Sequence, residues 1–481
     1  MSVKENSGHR LPNKIEAVIA ISFLFVSIVC GSVIGKLKME IFFVLSAFVA
    51  GIIGIRCGYN WSDMQKAYVR QISKVAPLML TLMGIGFVIG TWVYSGTVPV
   101  MIGWLAQIID PKFVLILSFI FCAIIALIIG TSSATLGTIG VIMLGVSTVQ
   151  GIPAPIAASA IICGSYIGQV LSPLADMVNY SSALTGNTTS QGIRLVLPSE
   201  IVGIVVAVGF YLIYGFRVSG TADVGSIDIL VQNVFTNFKG SVVILLPVVV
   251  LFAMLVLKID TIPTLFASGF AAILVGKFYQ GFTFKDGFMS AYSGFNANML
   301  NTAEGVELMS EFKSIITRGG CASMTSFLIT ILLIMAFIGI ITEIGVIKVI
   351  SGMLLGNVKH RGNLIALSSV VTFILTCATG SITATPALVT EMFQTTYQRV
   401  GLSRRNIVTV CQICSNLAAL MIPWMGTAVY TAGVMGVEVL DYAPYIFISW
   451  VPIIANIIFG YLGIGLVKLE EGELQEQEVT A

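Results

Sequence analysis

The sequence predicts an all-α polytopic membrane protein made of two inverted repeats of about five transmembrane helices each, every repeat holding a broken or re-entrant hairpin and an interrupted helix. Three observations carry this expectation. Of 481 residues, 57% are hydrophobic and only 10% charged, and the mean hydropathy is +0.98. A soluble domain carries about 25% charged residues, so this chain is built for lipid. The second observation is a duplication: Gly130, Thr131, Ala134, Thr135, Gly151, Ser165, Pro173 and Tyr180 fall opposite Gly380, Ser381, Ala384, Thr385, Gly401, Ser415, Pro423 and Tyr430, at a constant offset of 250. Apolar segments broken by small and polar residues in corresponding places of two halves mark secondary transporters with a site at the repeat interface. The third is charge, treated below.

In chain order, residues 1–13 form a cytoplasmic N-terminal segment, 14–239 the first half, 240–469 the second half and 470–481 an acidic cytoplasmic tail. The apolar run near 15–35 is too long for a signal sequence and lacks a clean cleavage site, so it reads as a first transmembrane helix. Upstream of the main duplication, Ser46, Phe48, Ala50 and Gly54 match Ser268, Phe270, Ala272 and Gly276 at offset 222, and Ala67-Tyr68 matches Ala291-Tyr292. Each half reads as two long apolar helices, an amphipathic stretch, a third helix, a broken apolar pair, an interrupted helix and a last helix. The broken pairs span 113–149 and 362–398; the interrupted helices span 164–187 and 411–433. A polar, glycine-containing linker at 217–239 joins the halves.

Both arms of a broken pair return to one side, so each half crosses an odd number of times and the halves must be inverted. With the N-terminus inside, 16 of the 25 Lys and Arg residues fall on the cytoplasmic side. Lys359, Arg361, Arg399, Arg404 and Arg405 flank the second broken pair, whereas only Lys112 flanks the first. Lys36 and Lys38 run against this pattern. The expected location is the cell inner (plasma) membrane, multi-pass, with both termini cytoplasmic.

Composition also excludes functions. The only histidines, His9 and His360, lie in charged loops, which removes a buried histidine metal site and a serine–histidine hydrolase. The eight cysteines sit almost all in apolar runs as small packing residues, and Cys411 and Cys414 lack the second pair a metal site needs. A net charge of +2 gives no ground for a nucleic-acid partner. The chain is expected to be a transporter, not an enzyme; an ion channel is the remote alternative.

The first broken-pair tip offers Thr131, Ser132, Ser133, Thr135 and Thr138, the second Ser381, Thr383 and Thr385. Hydroxyls beside glycines leave backbone carbonyls free to coordinate a cation, while helix N-termini can face an anion. The first interrupted helix carries Asp176, with Ser172 and Pro173 before it and Asn179 after. An acid at membrane depth is a functional candidate. The matching segment has no acid; its polar groups are Gln412, Asn416, Trp424 and Thr427, and Gly426 stands opposite Asp176. Glu343 and Glu391 are further membrane-embedded candidates.

The runs IGTWVYSGTVP at 89–99, GTSSATLGTIGV at 130–141, GxxxSPLxDxxN at 168–179, EMFxxxYxxxGL at 391–402 and IPW at 422–424 together resemble the NhaC-type sodium/proton antiporter family over nearly the whole chain. The resemblance implies paired inverted repeats with hairpins, alternating access, and either sodium/proton exchange or carriage of organic anions or amino acids. Two departures matter. Where the family reads G-D-K-x-S-P-L-S-D, this chain has Gly168-Gln169-Val170-Leu171-Ser172-Pro173-Leu174-Ala175-Asp176. The family's Glu-Asp ahead of P-W-N is here Gln412-Ile413, and Met425 replaces the asparagine. A proton-coupled antiporter needs a carboxylate that alternately binds proton and cation. Losing acids at two places favours a cation-coupled carrier of a small organic solute such as an amino acid or carboxylate, with Na⁺/H⁺ antiport as the alternative. Expected solute ligands are Ser133, Thr135, Gln169, Ser381, Thr383, Thr385, Gln412, Asn416 and Trp424. Expected cation ligands are Thr131, Ser132, Ser172, Asp176, Asn179 and Thr427. No cofactor is implied beyond Na⁺ as coupling ion. The partners are the solute, the cation and the bilayer, with a homodimer left open.

Overall fold

The computed structural model describes residues 9–35, 37–218, 224–300, 310–354 and 358–469; the acidic tail and most of the 1–13 segment lie outside the described residues. Apart from one bridge between Leu402 and Lys468, the described chain is helix and loop. The first half runs α1 (Lys14–Ile28), α2 (Glu40–Arg56), α3 (Trp61–Tyr94), α4 (Thr97–Ile108), α5 (Val114–Ile129), α6 (Ser132–Val149), α7 (Ala154–Leu171), α8 (Asp176–Leu184) and α9 (Thr189–Val218). Then follow α10 (Val224–Asn237), α11 (Val242–Val256), α12 (Thr261–Gln280), α13 (Phe284–Ser293), α14 (Ser310–Ile316), α15 (Cys321–Glu343) and α16 (Val346–Leu354). The chain ends with α17 (Arg361–Thr379), α18 (Ala384–Arg399), α19 (Arg404–Met421), α20 (Gly426–Met435), α21 (Val439–Tyr445) and α22 (Phe447–Leu462). Among the described residues, seven helices (α3, α6, α7, α9, α12, α15 and α17) are long and apolar enough to cross a membrane. The total reaches ten if the bent pairs α10/α11, α19/α20 and α21/α22 each count as one span. The protein is therefore a multi-pass helical membrane protein.

Two elements differ from the sequence expectation. The amphipathic stretch and third helix of the first half are one 34-residue helix, α3, opened by a reciprocal capping box between Asn60 and Asp63. Pro77 inside it removes one N–H, and the helix runs on. In the second half the counterparts stay separate, because α13 stops at Gly294 (φ +88°) and α15 begins only after Gly319 and Gly320, both at positive φ. The second difference is the linker. It contains α10, which buries Leu230 and Val234 at helical spacing, with Phe238 buried just past its end, and the chain then bends by 91° into α11.

The halves interlock. α2 packs on α15, and α12 packs on α3, so the second helix of each half lies on the third helix of the other; α3 and α15 also pack together. The last helices, α9 and α22, lie against each other. Within the first half α5 lies along α7, and there the approach is backbone to backbone: a Cβ on Gly164 would sit 2.2 Å from the Phe119 carbonyl oxygen. Small residues permit such crossings in membranes, where apolar surface gains nothing from leaving lipid.

Gly164→Ala should force α5 and α7 apart at a cost of about 1–3 kcal/mol, the usual range for overpacking. The check is the melting temperature in detergent, which should fall. In Gly209→Ala nothing lies within 4 Å of the added methyl, and that variant should melt no lower than the parent.

Candidate functional site

The chain breaks at four places, and the breaks recur in one register. α5 ends at Gly130 (φ +85°), whose N–H donates to the Ala126 oxygen at 2.8 Å; α17 ends at Gly380 (φ +60°), whose N–H donates to the Thr376 oxygen at 3.1 Å. A left-handed residue at a helix end is most cheaply glycine. The next residue caps the following helix: Thr131 Oγ1 accepts from the Ala134 N–H at 3.2 Å, and Ser381 Oγ from the Ala384 N–H at 3.1 Å. Thr135 and Thr385 then donate to the Thr131 and Ser381 carbonyls, both at 3.0 Å. The four hydroxyls expected as ligands are thus engaged in shaping the two tips.

The interrupted helices open the same way. Between α7 and α8, Ser172 and Ala175 are extended, as are Ile422 and Met425 between α19 and α20. Pro173 and Pro423 follow the first extended residue in each case and cannot continue a helix. α19 also winds wide, as a π-helix, over Gln412–Leu417, a distortion frequent at functional sites.

Side chains from each break close another. The Tyr180 hydroxyl donates to the Thr383 carbonyl at 3.0 Å, and the Tyr430 hydroxyl donates to the Ser133 carbonyl at 2.9 Å. Tyr180 and Tyr430 are 250 residues apart, and so are Ser133 and Thr383. Ser172 Oγ donates to the Leu127 carbonyl at 2.8 Å, while Trp424 Nε1 donates to the Cys377 carbonyl at 2.9 Å; those carbonyls are again one repeat apart. Trp424, expected as a solute wall, is instead buried, with its ring edge-on to Phe25.

The two interrupted helices are joined by amides. Gln412 Nε2 donates to the Met177 carbonyl at 2.9 Å and to Ser181 Oγ, and its Oε1 accepts from Asn416 at 3.0 Å. Gln412 therefore fastens α19 to α8. Asn179 donates to the Pro173 carbonyl at 3.2 Å and accepts from Thr189. Ser132 is buried within reach of Tyr166. Gln169 Oε1 and Thr427 Oγ1 are buried with no hydrogen-bond partner among the described residues, so these two remain available as ligands. Asp176 is the first residue of α8 and is exposed, with its side chain free of any partner among the described residues.

Of the other acids, Glu343 pairs with Arg70, and Glu391 is exposed on α18. Cys411 and Cys414 are buried free thiols, and no group of His, Cys, Asp or Glu among the described residues is placed to hold a metal. Sequence reasoning passes over Glu200. It is fully buried in α9, and neither carboxyl oxygen meets a donor among the described residues. The rule that selects Asp176, an acid inside an apolar run, selects Glu200 equally.

Paired helix breaks inside a multi-pass helical protein are the architecture of a secondary transporter. The chain belongs to the Na⁺/H⁺ antiporter family, which it matches over residues 164–464, and it is of the NhaC type. It is 28% identical over 455 residues to the malate-2H⁺/Na⁺-lactate antiporter of Bacillus subtilis (strain 168), covering 94% of this chain and 96% of the relative. It is 28% identical over 433 residues to the Na⁺/H⁺ antiporter NhaC of Alkalihalophilus pseudofirmus, covering 90% and 92%. The arginine/ornithine antiporter ArcD of Halobacterium salinarum is 24% identical over 435 residues, covering 90% and 88%. These relatives are antiporters, and this chain is a transporter rather than an enzyme.

Gln412→Glu should be destabilising although it restores the family's acid. An ionised carboxylate there would face the Met177 carbonyl and leave it without a donor, at about 1–3 kcal/mol. The melting temperature in detergent should fall at neutral pH and recover in part on acidification, when the protonated acid regains one donor.

Proposed function

We propose that this protein is a cation-coupled antiporter of a small organic solute, a carboxylate or an amino acid, working by alternating access between two inverted halves of a plasma-membrane carrier with cytoplasmic termini. The observation that carries this reading is the junction of α8 and α19. There Gln412, standing where the family carries an acid, bonds Met177, Ser181 and Asn416, and Asp176 is left as the one carboxylate of the helix breaks. One exposed acid at a half-helix N-terminus suits one alkali cation such as Na⁺. Gln169 and Thr427, with unpartnered buried oxygens, are the polar groups open to a solute. The names of the malate/lactate and arginine/ornithine relatives support an organic solute.

The inversion is supported by the reciprocal tyrosine bonds. If residue i of one half meets residue j of the other, a two-fold axis requires j of the first to meet i of the second. Tyr180 with Thr383 and Tyr430 with Ser133 satisfy that relation. Exchange of Na⁺ for H⁺ is the second reading, favoured by the similarity to NhaC.

Counterflow in proteoliposomes with Na⁺, Li⁺, malate, lactate and amino acids separates the two. An organic solute should exchange against itself and respond to a Na⁺ gradient; Na⁺/H⁺ exchange at full rate with no organic solute present would overturn the solute reading. Asp176→Asn should insert normally yet lose the response to a cation gradient. Wild-type kinetics in that variant would reduce Asp176 to a helix-terminal charge.

A further inference from the structure

Glu200 lies in α9 two residues after Pro198. It is buried at 0% exposure, and both carboxyl oxygens lack partners. The titratable groups whose fields it shares are thiols, Cys163 of α7 and Cys414 of α19. The other elements packed on α9 bring no cation to it. α5 contributes Cys122; α8 contributes Asp176 and Tyr180; α22 contributes Tyr461, which is bonded to Asn363. Arg404 lies against Gly186, Arg194 of α9 itself is exposed, and Arg405 makes its contacts elsewhere, since Glu200 has no partner. A bare carboxylate in such surroundings costs several kcal/mol, whereas one pH unit corresponds to about 1.4 kcal/mol. A proton on the carboxyl removes that cost.

We propose that Glu200 is a proton-binding site of the transport cycle, distinct from the cation site at Asp176. The proposal builds on the antiporter reading and adds the place where the proton sits. A small crevice reaches the residue before it, lined by Pro198, Ser199, Asn406, Thr409 and Asn456 and extending to Gly465, with Glu200 itself behind the lining. Those hydroxyls and amides put polar groups on the same stretch of α9, where Pro198 lacks an N–H for the Arg194 carbonyl.

Glu200 also lies within the electrostatic reach of Cys414, in the π-turn of α19. Ser415, the next residue, has a buried hydroxyl with no partner. Loss of the proton would create a charge that needs a donor, and the π-turn can supply one only by shifting. Gln412 in that turn holds Met177 and Ser181 of α8, whose first residue is Asp176. The proton and the cation are thereby tied through one physical element with two arrangements.

The test uses the full-length protein in liposomes loaded with a pH-sensitive dye and given Na⁺, L-malate, L-lactate and L-arginine in turn. Wild-type protein should move protons with at least one of these. E200Q should move none, cease to accumulate the solute on a pH gradient, and exchange it for itself at a rate that no longer varies with pH. Proton movement unchanged in E200Q, or absent from the wild type with all four probes, would overturn the proposal. Proton movement with Na⁺ alone, lost in E200Q, would uphold Glu200 while refuting the organic solute. Dicyclohexylcarbodiimide, which attacks protonated buried carboxyls, tests the native chain should E200Q fold poorly. Mass spectrometry should find the adduct on Glu200, more of it at acid than at alkaline pH. An unmodified Glu200 at every pH would overturn the assignment.

Discussion

Within a bilayer, a helix break leaves backbone groups that no lipid can satisfy, so each break must be closed by the protein itself. This constraint organises the centre of the molecule. Glycine turns the chain at Gly130 and Gly380, a hydroxyl caps the helix that follows, and a tyrosine from the far half covers the next open carbonyl. Because the donors come from other broken segments, no break can be remodelled alone. A shift of α8 pulls on Thr383 through Tyr180, and a shift of α20 pulls on Ser133 through Tyr430.

The same constraint shows how the halves diverged without losing their geometry. The carbonyl that ends α5 takes its extra bond from a serine at the break, and the equivalent carbonyl in α17 takes it from an indole two positions further along. Either donor serves, since the carbonyl requires only an N–H or O–H at bonding distance. Asp176 and Gly426 occupy one register position, and nothing structural opposes the difference, because the Asp176 side chain closes no bond. Positions that satisfy the backbone are held in kind; positions that face open space vary in charge.

This explains which features were legible in the sequence. The breaks were, because left-handed glycines, capping hydroxyls and prolines are local requirements that leave local marks: Gly130, Thr131 and Pro173 can be read without knowing any neighbour. The Asp176 candidate was legible on the cost of an acid in an apolar run. Tyr180 and Tyr430 register as a repeated residue, but their role depends on partners some 200 and 300 residues away. The π-turn at Gln412–Leu417 leaves no compositional sign, so the sequence shows Gln412 as a polar candidate without its bonds to Met177 and Ser181. In the linker, polar composition hides the spacing of Leu230 and Val234 that makes α10 a helix. Glu200 sits in a proline-marked run, and its significance comes from the missing partner, a property of three dimensions.

Asp176 and Glu200 sit at opposite extremes of exposure, and that difference suits them to different ions. On the proposed reading Asp176, exposed at a helix N-terminus, meets an alkali cation that keeps part of its water. Glu200 is enclosed among thiols and apolar side chains, where a charge is costly and a proton is the one cation small enough to enter. Separate sites can still enforce exchange if a single element feels both. By linkage, whatever factor a proton on Glu200 imposes on cation affinity at Asp176, the cation imposes on proton affinity at Glu200. Gln412 fastens α19 to α8, the helix that Asp176 opens. On this account the amide does not substitute for the family's lost acid as a ligand. Its two donors join the moving parts, a task that a carboxylate with no hydrogens to give could not perform.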